Sequence, residues 1–167
     1  MRDAFGGTFL MYLVITFVVI FVTFLAVTMK YIQAYRVKNE IINYIEQYEG
    51  YNENVFDHLE GKDGQKGYLD KVGYNENNFL ATSDNGINSR TFEIKKENQE
   101  YCSTKYGYCV TIKYCSDKDD SGNCQKGSIA YYKVTTCMSL DFTNILSFTE
   151  PIKINISGET RRVTLQY

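Results

Sequence analysis

Apolar and polar positions divide this chain into three regimes. From Thr8 to Met29 the sequence TFLMYLVITFVVIFVTFLAVTM holds no charge and no proline over 22 residues. As a helix it would span about 33 Å, enough for a hydrocarbon core of about 30 Å. From Tyr31 to Glu49 apolar positions recur in steps of three and four, at Ala34, Val37, Ile41, Ile45 and Tyr48. That spacing predicts one stripe on a continuing helix, with Gly50 as its C-terminal stop. The stripe is shorter than three heptads, too short to argue a sustained coiled coil. Val37, Ile41, Ile45 and Tyr48 therefore need a partner surface, and the chain's own C-terminal half is the nearest one.

Beyond Gly50 the chain is polar and rich in turn residues. Asn54–Leu59 and Tyr68–Val72 read as short helical pieces, and from Arg90 the period changes to two. Strands are expected over Thr91–Lys95, Tyr108–Cys115, Ser128–Cys137 and Ile152–Ile156. Arg162–Leu165 continues the last of these after a Ser157–Gly158 turn, and Pro151 stands where a missing donor is tolerated. The expected fold class is α+β: a long N-terminal helix, transmembrane then amphipathic, packed on a small antiparallel β-sheet. The expected organisation is a short leader-like segment over 1–7, a transmembrane helix over 8–29, an amphipathic stem over 30–50 and a distal domain over 51–167.

Composition narrows the chemistry. The net charge of -2 supplies no basic field for nucleic acid. His58 is the single histidine, which removes most His-dependent metal and triad chemistry. With no phosphate loop after a strand and no nucleophile–base spacing, no enzymatic activity is expected. A cleaved signal peptide would have a shorter apolar region and small residues after it. Here the long run is followed by Met29-Lys-Tyr-Ile, so a retained anchor in the lipid bilayer is the expectation.

The five cysteines, Cys102, Cys109, Cys115, Cys124 and Cys137, lie in the strand-rich region and lack zinc-type spacing. Cys115 and Cys124 flank a loop between two expected antiparallel strands, and Cys102 and Cys109 flank another turn containing Gly107. Both pairs are candidate disulfides. Cys102–Cys137 competes, and the odd count leaves one thiol over. Asp117, Asp119, Ser121 and Asn123 match the opening positions of an EF-hand-type calcium loop. Ser128 replaces the bidentate glutamate, however, and strands flank the loop. A solvated acidic hairpin turn is the expected state, with calcium the minor alternative and no other cofactor. Asn155-Ile-Ser157 is a glycosylation pattern inside an expected strand.

Orientation signals conflict. Arg2 precedes the apolar run while Lys30, Arg36 and Lys38 follow it, which by the positive-inside rule places the distal domain in the cytoplasm. Five cysteines in a loop-rich β domain favour the outside.

A membrane helix that becomes an amphipathic stem and carries an antiparallel sheet resembles type IV pilins and pseudopilins. More narrowly, the chain is similar to the TadE-like minor pseudopilins of tight-adherence pilus systems. The likeness rests on MRDAFGG, the uninterrupted apolar helix, the stem YIQAYRVKNEIINYIEQYEG with its early Arg36, and the ending EPIKINISGETRRV. The resemblance implies a cytoplasmic N-terminus, an outward-facing domain and partners among pilin-like or secretion-platform subunits. One departure is clear: prepilins are cut after a glycine and carry Glu at the fifth mature position. Cleavage after Gly7 would put Tyr12 there. The rival function is a membrane-anchored extracellular domain that binds a ligand or surface through Tyr- and Asn-rich loops.

Overall fold

The structure is a computed structural model and describes residues 2–62, 64–75, 100–103, 105–120, 124–140 and 152–166, the side chains of residues 2–6 excepted. Two compact units meet at the 32/33 boundary. One helix, α1 (Arg2–Gln47), supplies the first unit and opens the second. Residues 2–7, expected as a separate leader-like segment, are helical from Arg2 onward.

In the first unit α1 exposes large apolar side chains on every side, from Phe9 at 71 % to Met29 at 70 %. β-Branched residues weaken helices in water, but an apolar solvent forces the backbone to bond to itself. Thr16, Thr23 and Thr28 turn their hydroxyls back to the carbonyls of Tyr12, Val19 and Phe24 at 2.8–2.9 Å. These three hydroxyls are thereby satisfied within the helix, as an apolar surround requires.

The second unit begins at Gln33. Along it α1 buries Ala34, Val37, Ile41 and Ile45, as the stripe predicts. Tyr48 is different: it stands 39 % exposed, beyond the last helical residue, with its ring stacked 6.2 Å from Tyr44. The core position is taken instead by Tyr51, which is buried. The cause is the helix end. Tyr48 N–H donates to the Tyr44 carbonyl, and Gly50 N–H to that of Ile45. This is a Schellman-type closure in which Glu49, at φ 53°, takes the left-handed position. The helix thus ends at Gln47, two residues short of Glu49, the last helical residue expected.

Two short helices follow, α2 (Glu53–Glu60) and α3 (Tyr68–Lys71). Asn52 caps α2, its side chain accepting from Val55 N–H, while Val55, Phe56 and Leu59 face inward. The strands are β1 (Glu100–Ser103), β2 (Tyr108–Cys115), β3 (Ile129–Leu140), β4 (Ile152–Glu159) and β5 (Val163–Thr164). All pair antiparallel in the order β1-β2-β3-β4, and β5 pairs with β3. Alternation puts Val110, Ala130, Tyr132, Val134, Met138 and Ile156 in the core, with Thr136 buried among them.

The expected strand at Thr91–Lys95 and the placement of Pro151 lie outside the described residues. The expected turn at Ser157–Gly158 is not a turn. Both residues are paired within β4, opposite Thr135 and Val134. The strand breaks later, at Thr160, whose hydroxyl accepts from Tyr132 N–H at 2.9 Å. There Arg161 N–H donates to Glu46 Oε1 of α1 at 2.7 Å.

Gly158 has a packing role instead. A Cβ on it would lie 3.0 Å from Ile42 Cδ1 and 3.2 Å from Lys38 Cδ and Cε. The glycine lets the stem approach β4, and Thr136 Oγ1 donates to the Ala34 carbonyl at 3.1 Å on the same side. The architecture is therefore α+β, a long apolar N-terminal helix packed on a small antiparallel sheet.

Candidate functional site

The most unusual surface is the apolar part of α1. Among the described residues one helical segment, Gly7–Gln47, is long and apolar enough to cross a membrane, with a peak mean hydropathy of 2.8, and that peak stretch is wholly unburied. Within it, Thr8–Met29 carries no charged side chain. What these side chains can do is contact lipid or another apolar helix.

Both expected hairpin cysteine pairs are joined. Cys102 and Cys109 stand opposite each other in the β1–β2 register with Cα atoms 4.1 Å apart, and Cys115 and Cys124 are bridged at 5.9 Å. The competing Cys102–Cys137 bridge is absent, and Cys137 remains a buried thiol in β3. Closing loops of 7 and 9 residues restricts the unfolded chain enough to stabilise the fold by about 2.5 kcal/mol each. Replacing Cys115 and Cys124 together by Ser should therefore lower stability by about that amount, read from urea midpoints. An unchanged midpoint would show that the bridge restricts nothing.

Of the calcium-type ligands, Ser121 and Asn123 lie outside the described residues. Asp117 is exposed and accepts a 2.8 Å hydrogen bond from Ser116 Oγ through Oδ2, and its carbonyl accepts from Gln125 N–H. Asp119 is half-buried. The carboxylate of Glu100 and the sulfurs of Cys102 and Cys109 come within 4.8 Å of one another. With both sulfurs in a disulfide, that group has one metal-ligating atom left.

Sequence reasoning missed a tyrosine cluster. Tyr101 and Tyr108 hydroxyls both donate to Glu60 Oε1, at 3.0 and 2.9 Å, and Tyr51 and Tyr108 hydroxyls lie 3.0 Å apart. Phe56 meets the Tyr101 ring edge-on at 5.8 Å. These residues come from α2, β1, β2 and the turn after α1, so no local spacing announces them; an abundance of tyrosine was the only signal. Tyr74 closes a second link, its hydroxyl donating to the Gly107 and Cys137 carbonyls.

Burial is the main cause that pushes the Tyr51, Tyr101 and Tyr108 phenols above their ordinary value of 10.0. For Tyr101 the Glu60 charge adds next, and for Tyr108 neighbouring Tyr51 does. Phenols held neutral cannot serve as bases or nucleophiles. They clamp α2 to the sheet.

Above pH 10 the unfolded chain loses these protons while the fold retains them, so stability is complete at neutral pH and falls as pH rises past 10. Each retained phenol contributes a slope of up to about 1.4 kcal/mol per pH unit. Melting temperature should fall steeply above pH 10, and the fall should be shallower in a Tyr51→Phe/Tyr108→Phe variant. Equal slopes would disprove the coupling.

An open cleft at the end of α1 is lined by Gln47, Tyr48, Glu49, Asn52, Asn54 and Gln166, and offers hydrogen bonds without a nucleophile–base pair. No family model, curated protein or solved structure matches the chain.

Proposed function

We propose that this chain is a single-pass, pseudopilin-like structural or accessory subunit of a pilus or secretion apparatus, with its distal domain outside the cytoplasm. The supporting observation is that one helix serves two solvents. Its first part exposes apolar side chains throughout, and its last turns form the core of a disulfide-bearing antiparallel sheet domain. In such a subunit the apolar part would hold the protein in the bilayer and pack against neighbouring subunits, while the folded domain is presented beyond the headgroups. The paired cysteines support an oxidising side of the membrane.

Topology is tested with an impermeant maleimide on intact cells. Lys66 is exposed, whereas Lys62 is held by Asp57 at 3.0 Å and Glu53 at 3.1 Å. A Lys66→Cys variant should therefore label without lysis; labelling only after lysis would reverse the orientation. Deleting the gene should abolish pili or secretion, and restoring it should recover them.

A second reading, an anchored adhesion or binding domain, is favoured by one feature. Tyr114 and Tyr131 stack 5.7 Å apart at 14°, with Tyr114 49 % exposed, an aromatic platform on the outer face of the sheet. Under that reading Tyr114→Ala cells would assemble normally and fail to attach.

A further inference from the structure

The distal unit has an end whose position is limited by chain length alone. Gln33, its first residue, follows the last residue of the apolar run, Met29, by four positions. Four residues reach at most about 14 Å even when extended, and the headgroup layer beyond the hydrocarbon is about 5–8 Å thick. Gln33 must then lie within or just above the headgroups of any bilayer that holds the apolar run. Gln33 Nε2 donates to the Val72 carbonyl at 2.9 Å, which brings the end of α3 to the same level.

What this end displays is cationic and apolar. Arg36 and Lys71 are exposed, and Val72, which follows Lys71 in sequence, is 37 % exposed. Arg36 stands close to the Tyr68 phenol of α3, whose pKa is raised by burial and by Glu40 and lowered by Arg36. Tyr35 is 44 % exposed and has Lys38 Nζ over its ring at 4.2 Å. Asp70, the acid of α3, is turned to Lys105 at 3.6 Å. Cations next to amphipathic rings are what an anionic interface attracts.

We propose that Arg36, Lys71 and Val72 form a surface that binds anionic phospholipid headgroups, seating the distal domain on the bilayer. The proposal rests on the anchor reading above. Two tethers at one level, the chain itself and this surface, would limit how the distal unit tilts over the bilayer.

The chain contains no tryptophan, so a Val72→Trp variant of the full chain carries a single indole reporter. It is reconstituted in phosphatidylcholine vesicles with and without phosphatidylglycerol, some with acyl chains brominated near the glycerol. Bromolipid should quench the indole several-fold more strongly when phosphatidylglycerol is present. Adding Arg36→Gln and Lys71→Gln, or high salt for the vesicles with the charged surface intact, should remove most of that gain. Flotation after alkaline carbonate separates the two claims. A chain that floats while its indole stays open to aqueous iodide and silent to bromolipid refutes the headgroup surface and leaves the anchor standing. A chain that does not float refutes the anchor and the surface together.

Discussion

Ile41→Asp should prevent the distal unit from folding, or leave it weaker by about 5 kcal/mol or more. Ile41 is fully buried between Val37 and Ile45 on the stem and belongs to one core with Tyr132 and Val134 of β3. Truncating a buried aliphatic side chain costs about 2–5 kcal/mol. An unpaired carboxylate in the same place adds several more, because it must be desolvated or take up a proton. Total stability for a unit of this size is on the order of 5–15 kcal/mol, so the loss is a large share of the whole. Two controls calibrate it in the full chain in detergent. Ile41→Val should cost about 1 kcal/mol, and Asn43→Asp, on the exposed side of the same helix, should cost less than about 0.5 kcal/mol. If Ile41→Asp melts within about 1 kcal/mol of the parent, the stem does not hold the sheet and its stripe belongs to another subunit.

Periodicity reveals that stripe because the helix repeat and the burial are the same fact seen twice. Val37, Ile41 and Ile45 are apolar since each turn brings them back to the sheet. The same reasoning failed at Tyr48, where the closure at Glu49 and Gly50 ends the repeat early. It failed again at Ser157–Gly158, where a glycine reads as a turn until the approach of Ile42 and Lys38 gives it another purpose. The Cys102–Cys109 disulfide was legible because antiparallel partners across a short turn are also sequence neighbours, and the Cys115–Cys124 pair because a short loop separates the two cysteines. The Glu60 cluster was not, since Tyr108 lies 48 residues from its carboxylate partner. Long-range polar contacts leave no period in the sequence. For the same reason the pairing of Gln33 with Val72, 39 residues away, could not be anticipated.

Gly67→Ala offers the second large effect, from a single methyl group. Gly67 has φ -70° and ψ 180°, a conformation open to any residue, so backbone preference does not explain the glycine. Space does. A Cβ there would lie 2.3 Å from the Leu59 carbonyl oxygen and 2.5 Å from Glu60 C and Gly61 N. All three are backbone atoms and cannot rotate aside. Gly61 is locked from the other direction, with φ 89° and a would-be Cβ 2.1 Å from the Gln65 oxygen. The two glycines thus let the chain fold back on itself between α2 and α3, with Leu59 and Leu69 both fully buried on either side. An added methyl must push α2 away from α3, drawing Leu59 from the core and Glu60 from Tyr101 and Tyr108. Overpacking of this kind costs about 3 kcal/mol, and lost hydrogen bonds to a charged acceptor add about 1.5 kcal/mol or more. Gly64→Ala is the matched comparison: its φ is 85°, but a Cβ there meets open space, so only left-handed strain of about 1 kcal/mol applies. Because α3 carries Lys71 and leads into Val72, Gly67→Ala should also weaken bromolipid quenching of the Val72→Trp reporter, which Gly64→Ala should leave intact. Equal melting temperatures for the two alanine variants would mean that the loop yields easily, and that neither the clamp on Glu60 nor the placement of α3 depends on this close approach.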